Sequence, residues 1–202
     1  MATTPAIDMP HDAQKPAGRR MGAVGSANWS AMLDAAERVL SDEGYAALSS
    51  RRIAEAAGFK QRLVYYYFQS MDALVTAMFR RMVARETERL KAIAASARPI
   101  RNFWELARES RDTRLSAEFL ALAHRNAELK KEVVDFITFS RQLQITALEK
   151  ATADRSDIPA SAMVVLGTNL ALSLNREAAL GVDLGHAAAE TVITEILDRI
   201  EP

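Results

Sequence analysis

The sequence predicts an all-α protein. Three observations carry this: apolar residues recur at helical spacing through four long blocks and a final stripe, no segment sustains the alternation of a strand, and Pro99 and Pro159 stand at block boundaries rather than inside them.

Residues 1–26 mix Pro5, Pro10, Pro16, Gly18, Gly22 and Gly25 with scattered charge and show no apolar period, so they read as a flexible arm. From Asn28 onward, Trp29, Met32, Leu33, Ala36, Val39 and Leu40 form one stripe, ended by Gly44 in the position of a helix-stopping glycine. A long helix is expected from about Ser70, with Leu74, Met78, Val83 and Leu90 on its apolar side. A third block runs from Leu129 through Val133, Phe136, Ile137 and Leu143 to Leu148. The fourth starts at Ser156 or Pro159 and is apolar nearly all round, and a last stripe uses Ala188, Val192, Ile193, Ile196, Leu197 and Ile200.

Composition narrows the function. The chain has no cysteine, which removes disulfides, thiolate metal sites and cysteine nucleophiles. Its 26 basic residues balance its 26 acidic ones, so any attraction to nucleic acid must be local. No run approaches the roughly 20 apolar residues of a membrane span, and no secretory leader is evident, so the expectation is a cytoplasmic protein with no membrane partner. There is no phosphate-cradling glycine loop and no HExxH, while paired carboxylates such as Asp42 and Glu43 adjoin helix ends. An enzyme is therefore not expected, nor a catalytic residue, metal or cofactor.

The segment from Gly44 to Leu74, GYAALSSRRIAEAAGFKQRLVYYYFQSMDAL, is the informative one. Ser49 or Ser50 can cap a short helix whose buried side is Ile53, Ala54 and Ala57. Gly58 suits a left-handed turn, and a second short helix follows Phe59, which together make a helix-turn-helix. Val64 and Phe68 share one face of that second helix, whereas Tyr65, Tyr66 and Tyr67, about 100° apart in succession, cannot all join them. At least one or two tyrosines must face outward. Lys60, Gln61 and Arg62 occupy the first turn, where a recognition helix meets base edges and phosphates, and Arg51 and Arg52 add charge nearby with only Glu55 opposing.

These residues resemble the DNA-binding domain of the TetR family of regulators. The resemblance rests on Ala35 and Ala36, Gly44 and Tyr45, Ile53 and Ala54 with Ala57 and Gly58, then Tyr65, Phe68 and the helix-starting Ser70 to Leu74, all in register. It implies a three-helix DNA-binding domain over 27–75 and, over 76–202, an antiparallel helical domain for effector binding and dimerisation, about nine helices in all. It implies that Ser50 and Arg51 touch backbone or a base at the groove edge, that Lys60, Gln61, Arg62, Tyr65 and Tyr66 do most of the reading, and that Tyr67 meets phosphate. Tyr67, Met71 and Trp29 depart from the family pattern, and phosphate contacts are not carried over to the last two. Arg19 and Arg20 on the arm are a candidate minor-groove contact.

The partners implied are double-stranded operator DNA, a second copy of the chain and an unknown small-molecule effector. Two Ala-, Leu- and Ile-rich helices, Pro159 to Leu180 and Gly185 to Ile200, can pair with their mates in a four-helix interface. Effector candidates are aromatic or polar residues in apolar surroundings: Trp104, Phe119, Phe136, Phe139, Asn169 and Arg176, with Asn169 read as a buried amide needing a partner. The function expected is a repressor released from a palindromic operator by its effector. A ligand-independent or activating regulator and a helical protein-interaction module stand as alternatives.

Overall fold

The computed structural model of the chain describes residues 23–109, 113–152 and 158–202. Arg19, Arg20 and Ser156 lie outside these. Among the described residues there are nine α-helices, one short 3-10 turn and no strand: α1 (Ala27–Glu43), the 3-10 turn Tyr45–Ala47, α2 (Ser50–Ala57), α3 (Gln61–Tyr67), α4 (Met71–Ala94), α5 (Pro99–Arg108), α6 (Thr113–Ala123), α7 (Ala127–Thr152), α8 (Ala160–Ala179) and α9 (His186–Ile200). The expected all-α architecture with an N-terminal helix-turn-helix is what the chain adopts. No described helix is long and apolar enough to cross a membrane.

Local chemistry sets the helix ends. Ser26, Ser49 and Ser70 each accept, through the side chain, the free amide three residues on, so α1, α2 and α4 begin where the hydroxyls stand. Of the two serines able to cap α2, Ser49 does so. Gly44 ends α1 at φ 81°, a conformation that disfavours other residues. The start of α5 is capped from the far end of the chain: the Glu201 carboxylate accepts the amides of Ile100 and Arg101, each at 2.9 Å. A carboxylate there also meets the positive end of the helix dipole.

One apolar core runs through α1 to α4 and continues into α6 and α7, joining Met32, Leu33, Leu40, Ile53, Val64, Leu74 and Met78 to Leu115, Phe119, Leu122 and Leu129. α4 passes unbroken through the expected boundary at 75/76. Phe119, an effector candidate in the sequence, is only 1% exposed and packs edge-on against Phe79 with ring centroids 5.2 Å apart. It belongs to this core, because α6 packs against α1 and α7 and brings the ring to Phe79 of α4. A smaller cluster of Leu90, Phe103 and Ala147 joins α4, α5 and α7, and the half-buried Phe136 bridges the two.

Polar ties fasten the N-terminal helices to the rest. Arg80 on α4 pairs with Glu128 and Glu132 on α7 at 2.8 and 2.7 Å. The Arg125 guanidinium lies 4.4 Å over the ring of Tyr45, and Asn126 donates to the Asp72 carbonyl while capping α7. The turn between α6 and α7 therefore touches both ends of the helix-turn-helix segment.

Candidate nucleic-acid interface

The turn between α2 and α3 is built by Gly58 at φ 71° and ψ 27°, the left-handed conformation expected of it, with the Phe59 amide bonded back to the Ala54 carbonyl at 2.8 Å. Ile53 and Ala54 of α2 and Val64 and Phe68 at the end of α3 are buried together. That fixes the opposite side of α3 toward solvent, and Gln61, Arg62, Tyr65 and Tyr66 are exposed there, with Lys60 beside them at the N-cap.

The three tyrosines divide as the geometry of a helix requires. Tyr65 and Tyr66 are outward, 46% and 42% exposed. Tyr67 is half-buried against the core, and its hydroxyl accepts from Ser26 Oγ at 3.4 Å. From the end of α3 its hydroxyl reaches the start of α1, so it supports the fold as well as edging the surface.

Ser50 is placed differently from the expectation that it touches DNA. It is 6% exposed, and its hydroxyl is engaged twice inside the protein, accepting from Gln61 Nε2 and donating to the Tyr65 hydroxyl, both at 2.9 Å. Because Ser49 takes the capping role, Ser50 falls on the inner side of the first turn of α2, facing α3.

The local charge is also lower than the sequence suggests. Arg51 is exposed but pairs with Glu55 at 3.0 Å, and Arg52 pairs with Glu43 from the end of α1 at 2.6 Å. The hydrogen bond from Arg52 holds the Glu43 carboxyl below its ordinary value. Glu43 stands on another helix, beyond the Gly44 turn, so its opposition depends on how α1 and α2 pack. Among the described residues neither Lys60 nor Arg62 has an ion-pair partner, which leaves them the available cations of the motif. Met71 and Trp29 are half-buried against the core, and the Trp29 ring stacks 6.2 Å from Phe68, so both family departures are packing residues.

Residues 32–78 match the family described as bacterial regulatory proteins, tetR family. The chain carries the DNA-binding domain of the tetR family. No curated protein is similar enough in sequence to serve as a relative. The reduced form of NemR from E. coli shares the fold at 17% identity and a TM-score of 0.70, over 84% of this chain and 97% of that one. A TetR transcription regulator from Haloarcula marismortui matches at 18% identity and 0.68, over 85% and 97%. GusR of Salmonella enterica does so at 14% and 0.64, over 86% and 95%. The shared fold thus extends beyond residues 32–78 into the C-terminal helices.

Behind this TetR-type domain lies a cavity of about 720 Å³ between α5, α7, α8 and α9. Of the effector candidates read from the sequence, Trp104 lines it; Phe119, Phe136, Phe139, Asn169 and Arg176 do not. Phe139 is exposed on α7. Asn169 is exposed rather than buried, and its amide donates to the Val165 carbonyl of its own helix at 2.8 Å. Arg176 is exposed and reaches Ser173. The apolar neighbours of Asn169 misled because α8 carries apolar residues on its outer side as well as its inner side. Gln144, Thr152, Thr168 and Ile193, which do line the cavity, carry no sequence signal, since each is an ordinary helix residue until four helices bring them together.

Proposed function

We propose that this TetR-family DNA-binding regulator acts in the cytoplasm as a homodimer on a palindromic operator, and represses until a small molecule releases it. The observation that carries the reading is the outer side of α3, where Lys60 and Arg62, among the described residues, are free of ion pairs beside the exposed Gln61, Tyr65 and Tyr66. Arg and Gln there suit bidentate readout of guanine and adenine in a major groove, and the tyrosines can stack on sugars or reach phosphates. Arg51 joins them once Glu55 is outcompeted by phosphate. Ser50 and Tyr67 act by holding α3 in place.

The dimer reading draws on the unpartnered apolar surface of α8 and α9. Val165, Asn169, Leu172 and Arg176 fall in one stripe at helical spacing, and Val165 and Leu172 are 38% and 48% exposed. Val192 and Ile196 expose a similar edge on α9. Paired about a two-fold axis, such stripes bury each other, and Asn169 meets its symmetry mate across an apolar seam. Two α3 helices then address two half-sites about one DNA turn apart.

Release follows if an effector in the α5–α9 cavity shifts α7, whose Glu128 and Glu132 pair with Arg80 of α4 and whose preceding loop sets Asn126 against the Asp72 carbonyl and Arg125 over Tyr45. Titration calorimetry of the full chain with its selected operator tests this reading: two chains per duplex, binding that weakens steeply with salt, and lower affinity when effector is present. One chain per duplex removes the dimer, and operator affinity indifferent to every bound small molecule removes the release step.

A further inference from the structure

The cavity between α5, α7, α8 and α9 has a chemical preference of its own. Its volume, about 720 Å³, lies within the range of sites for drug-sized molecules. Ile100, Leu148, Val164, Ile193 and Leu197 make its walls apolar. Its polar groups largely satisfy one another or their own helices. Thr168 donates to Gln144 Oε1 at 3.2 Å, Gln144 donates to Ser140 at 3.0 Å, and Thr152 donates to the Leu148 carbonyl at 3.0 Å. Trp104 is the exception, because among the described residues its indole N–H has no acceptor.

Among the described residues charge is nearly absent from the lining: no carboxylate contributes, and the one cation, Arg199, has a side chain 77% exposed and lies 3.7 Å from Glu195. It is solvated at the rim. An ionic group carried inside would lose its hydration with no counter-charge among the described lining residues to meet it, which disfavours both carboxylates and ammonium groups.

Gly167 is a second, independent observation. It sits within α8 on the cavity wall, although glycine is the poorest helix former apart from proline. A Cβ at this position would meet nothing within 4 Å. No packing constraint therefore calls for glycine; what its missing side chain preserves is the space of the cavity.

We propose that this cavity binds a neutral, mainly apolar molecule of drug size carrying one hydrogen-bond-accepting oxygen, which the Trp104 indole serves. The proposal deepens the effector reading above and rests on it only for the consequence to DNA. The chain has two tryptophans, so Trp29→Phe leaves Trp104 as sole fluorescent indole. Decan-1-ol, decanoate and decylammonium, matched in chain length, are titrated into that full-length protein. Decan-1-ol should shift Trp104 emission saturably, with a Kd about ten-fold or more below those of the two ions. Gly167→Leu should abolish the response while far-UV circular dichroism and the melting temperature hold or rise. Equal binding of either ion, no saturable response to decan-1-ol, or a response that survives Gly167→Leu would overturn the assignment. Decan-1-ol binding that leaves operator affinity unchanged supports the site and removes the effector reading instead.

Discussion

The Ser50 hydroxyl, buried at the start of α2, donates to the hydroxyl of Tyr65 on α3 at 2.9 Å while accepting from Gln61 Nε2 at the same distance. Tyr65 receives this bond on its oxygen and keeps its own proton for an outside acceptor, so a buried residue pre-orders two exposed ones that are proposed to face DNA. Ser50→Ala loses both bonds and should cost about 1–2 kcal/mol in urea unfolding, with a comparable loss of operator affinity. Tyr65→Phe should cost about half as much stability. Additive effects in the double variant would show that the two groups are not coupled.

Arg62 is exposed in the first turn of α3 and, among the described residues, has no ion pair to break before the base contact proposed for it. Arg62→Ala should reduce discrimination between the selected site and its guanine-substituted versions by about 1–3 kcal/mol. Uniform weakening across all sequences would make Arg62 a phosphate contact.

Phe119 tests the boundary between core and cavity. Its ring is 1% exposed and packed on Phe79, so Phe119→Ala should destabilise the fold by about 3–5 kcal/mol in urea. A loss below about 1 kcal/mol would mean that the ring is not part of the core.

Leu172 is 48% exposed on the outer stripe of α8. Leu172→Glu puts a charge where the second copy is proposed to sit, and leaves the monomer's own packing alone. Sedimentation analysis should show a folded monomer with weakened operator binding. A dimer unaffected by the change would move the interface elsewhere.

The Glu177 carboxylate ties α8 to α9, lying 3.0 Å from His186 Nε2 and accepting from Ser173 Oγ at 2.9 Å. The hydrogen bond from His186, then that from Ser173, hold its pKa below the ordinary carboxylate value. A folded-state pKa lowered in this way contributes stability above the unfolded pKa and loses it as pH falls through the folded one. Wild type should therefore melt above Glu177→Gln at neutral pH, and the two should converge as pH falls below the ordinary carboxylate range. A gap that persists in acid would contradict the ionic origin of the tie.

The parts of this molecule legible in sequence are those set by neighbours along the chain. Gly44 and Gly58 end their helices, Ser70 caps α4, and Val64 and Phe68 share a buried side as their spacing required. What could not be read depends on residues distant in sequence. Glu43 reaching Arg52, Ser50 turned inward to Tyr65, Glu201 capping α5 and the four-helix lining of the cavity are all products of tertiary placement. Asn169 shows the limit most clearly, since an amide among apolar neighbours reads as buried whether those neighbours face a core or an unpartnered surface.

The central claim, that α3 reads DNA in a two-fold dimer, is tested most directly by selecting bound duplexes from a random DNA pool with the full chain. Affinity for the enriched duplex is then measured at two salt concentrations. The account predicts an enriched palindrome with two half-sites about one helical turn apart and binding that falls steeply with salt. No enrichment, with weak and salt-insensitive binding, would contradict it and turn the helix-turn-helix into a protein-binding scaffold.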